Sequence, residues 1–260
     1  MLIASDGPRL IADVPTVFLG SRRALNFDSK IELREGALHS GNWGGLVAYP
    51  TIFLAYVLAT LTDVRGQIQV PASRPTRLTK DVRAMIAKLP HVEEQENLID
   101  INWGEEDLSP NERIFVWNSF AILATTSGVL ENLIKAIAGS ARAKCQLRYV
   151  VGAEVDEILP ALRNHLDSHG FKEIENCVDN QVQFAATRQD VDNIWVERVL
   201  TSLEKSVGQT VNLLPNLRGS VPNECFANIL DLATIWVPHS YRQCSQHELN
   251  ENMRKTLFKR

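Results

Sequence analysis

The sequence predicts an α/β domain interrupted by an inserted α+β unit, the latter an antiparallel sheet with two helices on one face. Three observations predict it. The chain opens on a short apolar strand pattern at residues 2–4, and from 192 to 237 it alternates helix and strand patterns, so the two ends share one rhythm. Between them, residues 24–33 and 143–151 read as strands, while 46–61 and 154–169 carry apolar residues at helical spacing. With 260 residues, 45% of them apolar, the chain has material for two cores. Residues 1–14 and 185–260 are expected to form the outer α/β domain, and residues 15–184 the insertion.

Taken in order, the first strand runs into Ser5-Asp6-Gly7-Pro8. This turn places Asp6 just beyond a strand's carboxyl end, where open α/β sheets put their sites; an aspartate there also closes turns on its own backbone. Residues 16–20 and 24–33 have β-branched or alternating character. Residues 38–45 hold His39 beside Gly41, Gly44 and Gly45. So many glycines disfavour a helix or strand interior and predict a loop, and a histidine on such backbone is a candidate for chemistry outside its own domain. The following pattern, 46–61, is apolar nearly all round and predicts burial on more than one face, which implies a partner subunit.

Residues 69–110 are rich in proline and charge and read as a surface excursion with one helix at 80–89. Residues 143–151 read as a strand, 154–169 as an amphipathic helix stopped by Gly170, and 181–186 as a strand. The tail predicts a helix at 192–207, a glycine-containing turn at 213–220, a short helix at 224–230 and a buried strand at 234–237.

Composition excludes several classes. A net charge of −4 with a pI near 5.9 and dispersed basic residues argues against a nucleic-acid surface. Cys145, Cys177, Cys225 and Cys244 form no CxxC pair, which disfavours a zinc ribbon or a disulfide framework and predicts reduced thiols. No apolar run approaches the ~20 residues that span a bilayer, and the first residues do not read as a signal peptide. The expectation is a cytoplasmic protein without membrane or nucleic-acid partners.

Several motifs then stand in a telling order: Leu38-His39-Ser40-Gly41-Asn42-Trp43-Gly44-Gly45, Tyr49-Pro50, Gly66-Gln67-Ile68, Leu147-Arg148-Tyr149-Val150, Gly219-Ser220-Val221-Pro222, and Ser245-Gln246-His247 with Asn250-Glu251. Together they resemble the di-zinc exopeptidase and amidohydrolase family of aminoacylase, carnosinase and cytosolic nonspecific dipeptidase. The resemblance implies a catalytic α/β domain with an inserted lid that dimerises, and peptide or N-acyl amino acid substrates. It also implies two zinc ions bridged by a carboxylate, with a metal-activated water attacking an amide carbonyl. By position, Asp6 and His247 resemble one ligand of each zinc, and His39 resembles the lid histidine that polarises the scissile carbonyl in a partner subunit's site. Arg148, Gly219 and Ser220 resemble residues that hold substrate, a guanidinium suiting a carboxylate because its fork donates two parallel hydrogen bonds.

The departures are as informative. In the family an HxD motif, the bridging Asp and a Glu-Glu pair precede the Asp6 position, and the five residues before Asp6 do not contain them. A catalytic zinc needs about three protein ligands, so the expectation is a truncated member, with zinc weak or absent and no competence as this chain alone. Its alternatives are a non-catalytic dimerisation or interaction module, or half of a split hydrolase completed in trans. Arg218 stands where the family has a small residue, beside the expected substrate pocket. Two internal imitations read as structural: His165-Leu166-Asp167 with His169 falls on the polar face of a helix, and Glu105-Glu106 falls in the charged excursion. His239 follows a buried strand and reads as a supporting residue rather than a ligand.

Overall fold

The computed structural model describes residues 1–75, 78–90, 99–100, 102–128, 136–153, 155–178 and 185–255. The chain begins with β1 (Leu2–Ala4), β2 (Pro8–Arg9), β3 (Thr16–Phe18) and β4 (Gly20–Ser21). It then leaves along β5 (Arg23–His39), turns through α1 (Ser40–Trp43) and returns in α2 (Pro50–Leu61). After α3 (Lys80–Ala87) and α4 (Pro110–Phe115) come β6 (Ser119–Thr126), β7 (Ala136–Tyr149), α5 (Val155–Ser168) and β8 (Glu175–Val178). The tail holds β9 (Thr187–Arg188), α6 (Ile194–Val207), β10 (Asn212–Leu214), β11 (Thr234–Trp236) and β12 (Ser240–Tyr241).

The first sheet has the order β1-β11-β3-β10. β1 and β11 are parallel, as are β3 and β10, and the two pairs meet antiparallel where Trp236 faces Phe18. Helices cover both faces of the inner strands β3 and β11, which explains why Val17 and Phe18, and Ile235 and Trp236, are apolar in succession instead of alternating. On one face α3 and α4 pack Val82, Ile86 and Phe115 against Phe18, Leu214 and Trp236. On the other, α6 packs Val196 and Val199 against Val17, Leu19 and Ile235. Asn193 caps α6 by accepting from the Trp195 amide, and Gly208 ends it at φ 70°, in the left-handed region that favours glycine.

The structure moves the expected boundary at residue 15. β3 lies within the first sheet, and β4 pairs with β9 in a separate two-stranded sheet before β5 enters the second unit at Arg23. The helix expected as a surface excursion also belongs here, because Val82, Met85 and Ile86 of α3 are buried in the first sheet's two clusters. A strand's own pattern shows that it is buried but not which sheet buries it.

The second sheet, β6-β7-β5-β8, is antiparallel throughout. Two helices cover one face, as the sequence predicts. Leu25, Phe27 and Ile31 of β5 pack with Leu54, Val57 and Leu61 of α2 and with Ile158, Leu162 and Leu166 of α5. The opposite face is polar, and there Asp28 pairs with Arg142 and with Lys144 at 3.1 Å. The hydrogen bond from Arg142 holds the Asp28 carboxyl below the ordinary aspartate value, with Lys144 adding to the effect against the cost of burial.

Local differences from the sequence reading have local causes. β5 outruns its predicted 24–33 because a bulge between Glu32 and Ala37 lets pairing resume, with Gly36 at φ 68°. Opposite it stands Gly139, where an added Cβ would lie 2.2 Å from the Arg34 carbonyl oxygen. α2 starts at Pro50 instead of 46, since proline is preorganised for a first helical position, and Leu46 is left exposed in the preceding turn. β6 lacks clean alternation and was not predicted. Residues 181–184 of the predicted strand at 181–186 lie outside the described residues, and β8 is the fourth strand of the sheet. β10 occupies the start of the predicted 213–220 turn, and the predicted helix at 224–230 is a π-helical turn, Cys225–Ile229. All four cysteines are free, and among the described residues no helix is long and apolar enough to cross a membrane.

Candidate functional site

Arg22 sits where the chain passes from the first sheet to the second, and it is 4% exposed. Its Nη1 donates to the Ile114 carbonyl at 2.8 Å, and its Nη2 to the carbonyls of Trp117 (2.9 Å) and Arg148 (3.5 Å) and to Ser119 Oγ (3.3 Å). Burial, and secondarily the charge of Arg148, bring the guanidinium down to about 10, still far above neutrality, so the group remains charged. Asn118 extends the tie: its Nδ2 donates to the Ser73 carbonyl and its Oδ1 accepts from the Val150 amide, both at 2.8 Å. Three passages between the sheets, at 22, near 73 and at 117–119, are thus joined by two buried side chains.

Most of the candidate residues gather around this junction. Ser21 bridges to Leu217, and the Arg22 amide donates to the Leu217 carbonyl at 3.4 Å, which anchors the turn carrying Arg218, Gly219 and Ser220. Gly7 approaches Leu217 so closely that a Cβ there would lie 2.3 Å from Leu217 Cδ1, so Asp6 is held beside the same turn. Arg148, near the end of β7, alternates with the core residues Leu147 and Tyr149 and therefore stands on the face away from the helices. The loop bearing His247 is tied to the Asp6 turn by pairing of β12 with β2 and by Ser240 Oγ donating to the Gly7 carbonyl at 2.7 Å. Behind Ser220, buried Asn223 accepts from Trp236 Nε1 at 2.9 Å and donates to Thr187 Oγ1 (2.6 Å) and Thr234 Oγ1 (3.0 Å).

His39 stands apart. It ends β5, which pairs along the 14 residues of β7, and at about 3.3 Å each these carry it roughly 40 Å from the junction. The expected loop is a strand end followed by one helical turn, and His39 is that turn's N-cap, its Nδ1 accepting from the Gly41 amide at 3.1 Å. The neutral ring therefore carries its proton on Nε2.

A cleft of about 350 Å³ opens between the Asp6 and His247 loops and the turn after β10. Phe18, Phe115, Leu214, Leu217 and Tyr241 form its apolar wall, and its charged residues are Arg9, Arg218, Arg242 and Glu248. Arg9 is fixed by Nε donating to the Pro238 carbonyl (3.0 Å) and Nη1 to the Ala12 carbonyl (3.3 Å), and Arg218 lies over the Phe115 ring at 5.0 Å. The sequence reading singled out Arg218 but neither Arg9 nor Arg242. Nothing in their local patterns marks them, since pairing of β2 with β12 is what brings them to one cleft.

The described residues do not by themselves assemble a di-zinc centre. Among the described residues no group of three His, Cys, Asp or Glu side chains converges to hold a metal ion. Asp6 Oδ1 accepts from the Gly7 amide at 2.6 Å, a turn-closing contact, and His247 lies exposed in left-handed backbone at φ 65°. His239 Nδ1 lies 2.6 Å from Ser5 Oγ, a supporting contact. His165 Nε2 hydrogen-bonds to the Thr60 carbonyl at 2.9 Å, and burial lowers its pKa; Asp167 pairs with Arg163 at 2.8 Å. Glu105 accepts from the Ile68 amide and Glu106 pairs with Arg65, so neither imitation of the metal motif is available as one.

No protein-family model matches the chain, and no curated protein matches it. Solved structures do. An M20 family metallo-carboxypeptidase, Sso-CP2 from Sulfolobus solfataricus, matches 98% of this chain at a TM-score of 0.80 and 21% identity. The dipeptidase Dug1p from Saccharomyces cerevisiae matches 98% at 0.76 and 20% identity, and human carnosine dipeptidase 1 matches 98% at 0.73 and 19% identity. The matches span 59%, 55% and 56% of those proteins, so the chain corresponds to somewhat more than half of each. At such identities the likeness speaks to architecture, and it agrees with the order of motifs in the sequence. The chain has the fold of the M20 metallo-carboxypeptidases and dipeptidases over the part it spans, which fits the exopeptidase resemblance.

Proposed function

We propose that this chain is of the zinc-dependent dipeptidase and aminoacyl amidohydrolase type, acting in the cytoplasm, and that alone it binds ligand without hydrolysing peptide or N-acyl amide bonds. One observation supports the reading: among the described residues neither Asp6 nor His247 stands in a group of three His, Cys, Asp or Glu side chains that could hold a metal ion. A lone carboxylate or imidazole holds zinc weakly, because affinity grows with each deprotonated ligand brought into one coordination sphere. Dialysis against zinc followed by metal analysis is expected to leave less than one tightly held ion per chain, with no dipeptide hydrolysis above the blank. Two tightly held ions together with turnover would overturn the reading.

The same resemblance implies a homodimer through the second unit, and its surface supports one. α2 buries Leu54, Val57, Leu58 and Leu61 but exposes Ile52 and Tyr56, and the edge strand β6 exposes Ile122 and Leu123. A second copy here would also give His39 a site to reach, since its own chain's cleft lies at the far end of β5. Sedimentation velocity at micromolar concentration is expected to show a dimer for the unmodified chain and a monomer of unchanged helicity for Ile52→Asp with Tyr56→Asp. An unmodified chain that sediments as a monomer would refute the interface.

A further inference from the structure

We propose that His165 and His169 form an acid-sensitive latch that fastens α5 to the C-terminal end of α2 at neutral pH and releases it in mild acid. The last carbonyls of a helix have no partner within it, and α2 ends at Leu61 without a left-handed cap, since Thr62 is extended. Other segments therefore take up these oxygens. The Gln69 amide donates to the Leu61 carbonyl at 2.9 Å, and His165 Nε2 lies 2.9 Å from the Thr60 carbonyl oxygen. A carbonyl can only accept, so Nε2 carries the proton of the neutral ring and a second proton would add at Nδ1.

The second imidazole sharpens the dependence on pH. His169 lies one turn further along, its ring centroid 4.4 Å from that of His165, and its Nδ1 donates to the His165 carbonyl at 2.8 Å, which holds the two rings together. A proton added to His165 would thus sit in a half-buried ring beside another imidazole. Burial, offset in part by the bond to Thr60 and joined by His169, holds the His165 pKa below the ordinary histidine value. Among the described residues no carboxylate is placed to reverse this. α2 carries no charge, nor does the short turn Pro71–Ser73 beside α5, and the neighbours one turn away on α5 are Ala161, Leu162 and Ser168. Asp167 pairs with Arg163 at 2.8 Å, and Asp63, beyond α2, accepts from the Arg65 and Gln67 amides. In the core beneath, the titratable groups of the sheet are Cys145 and Tyr149, pushed up by burial to about 11 and about 12 and so neutral in mild acid. The latched position therefore prefers the neutral ring. Above about pH 6.5 the contact has its full strength; below it the released ring takes up a proton that the latched ring refuses until lower pH, and latching weakens by up to about tenfold per pH unit.

The test is an NMR titration of the full chain from about pH 7.5 to about pH 5, following the His165 ring and the Thr60 carbonyl carbon. The ring is expected to titrate below about 6.5, and the carbonyl shift to move with the same midpoint. His169→Gln, at an exposed position, is expected to raise that midpoint, because it removes the neighbouring charge. His165→Gln keeps an N–H donor for the Thr60 carbonyl but does not titrate, so its urea midpoint is expected to fall less over the same pH range than that of the unmodified chain. A Thr60 carbonyl that stays still while the His165 ring titrates would overturn the proposal. So would a His165 midpoint at or above about 6.5, a midpoint unmoved by His169→Gln, or equal acid dependence of the two urea midpoints.

Discussion

Arg22→Ala is expected to lower the unfolding free energy by about 3–5 kcal/mol, a large share of a domain's usual 5–15. The reason lies in the acceptors it leaves behind. Three carbonyls and one hydroxyl at the junction of the two sheets receive their hydrogen bonds from this guanidinium, and none reaches water readily in its place. Arg22→Lys keeps the charge but replaces a planar fork by one ammonium, which cannot span Ile114 on one side and Trp117 and Arg148 on the other, so it is expected to recover only a minor part of the loss. Urea denaturation read from the midpoint at constant slope measures this. A loss below 1 kcal/mol for the alanine variant would mean that the junction is held by backbone pairing alone. Because Arg148 and the Gly219–Ser220 turn both lean on this junction, the variant is also expected to raise hydrogen exchange at Leu217 and Val150.

Asn223→Ala is expected to cost about 2–4 kcal/mol. The side chain is fully buried and joins β9, β11 and the turn that follows Ser220. Its removal strands the Trp236 indole N–H in an apolar surrounding and leaves two threonine hydroxyls to find new partners. Since the turn bearing Arg218 to Val221 has this amide as its inner anchor, increased exchange of its backbone amides should accompany the loss of stability. Unchanged exchange with a small loss would show that the turn is held from the Leu217 side instead.

Much of the fold was legible because periodicity reports burial directly. The alternation at 143–151, the 3.6-residue spacing at 154–169 and the apolar tail strand at 234–237 each became the expected kind of element, β7, α5 and β11. The misses share one cause. β6 is an edge strand with exposed apolar residues, so its pattern lacks the contrast that periodicity needs. The glycines at 41, 44 and 45 speak for local freedom, yet β5, pairing with β7 from Arg23 to Glu32 and again from Ala37 onward, overrides them as far as His39.

The candidate site divides in the same way. Order along the chain singled out Asp6, Arg148, Gly219 and Ser220; contacts around Leu217 bring the Asp6 turn and the Gly219–Ser220 turn to Arg22, whose guanidinium reaches the Arg148 carbonyl. Order could not reveal that Asp6 spends an oxygen on its own turn, or that His39 caps a helical turn far along β5, because both depend on where hydrogen bonds close.

The sequence by itself determined the fold class, two helices over an antiparallel sheet set into an α/β frame, because binary patterning is a local property read within one turn or strand. Only the tertiary structure decided that residues 16–21 and 80–87 belong to the frame, that Arg22 ties the two sheets, and that Arg9, Arg218 and Arg242 line one cleft. Those are contacts between residues as much as 233 positions apart. Each arises from strand pairing and burial that no local pattern encodes.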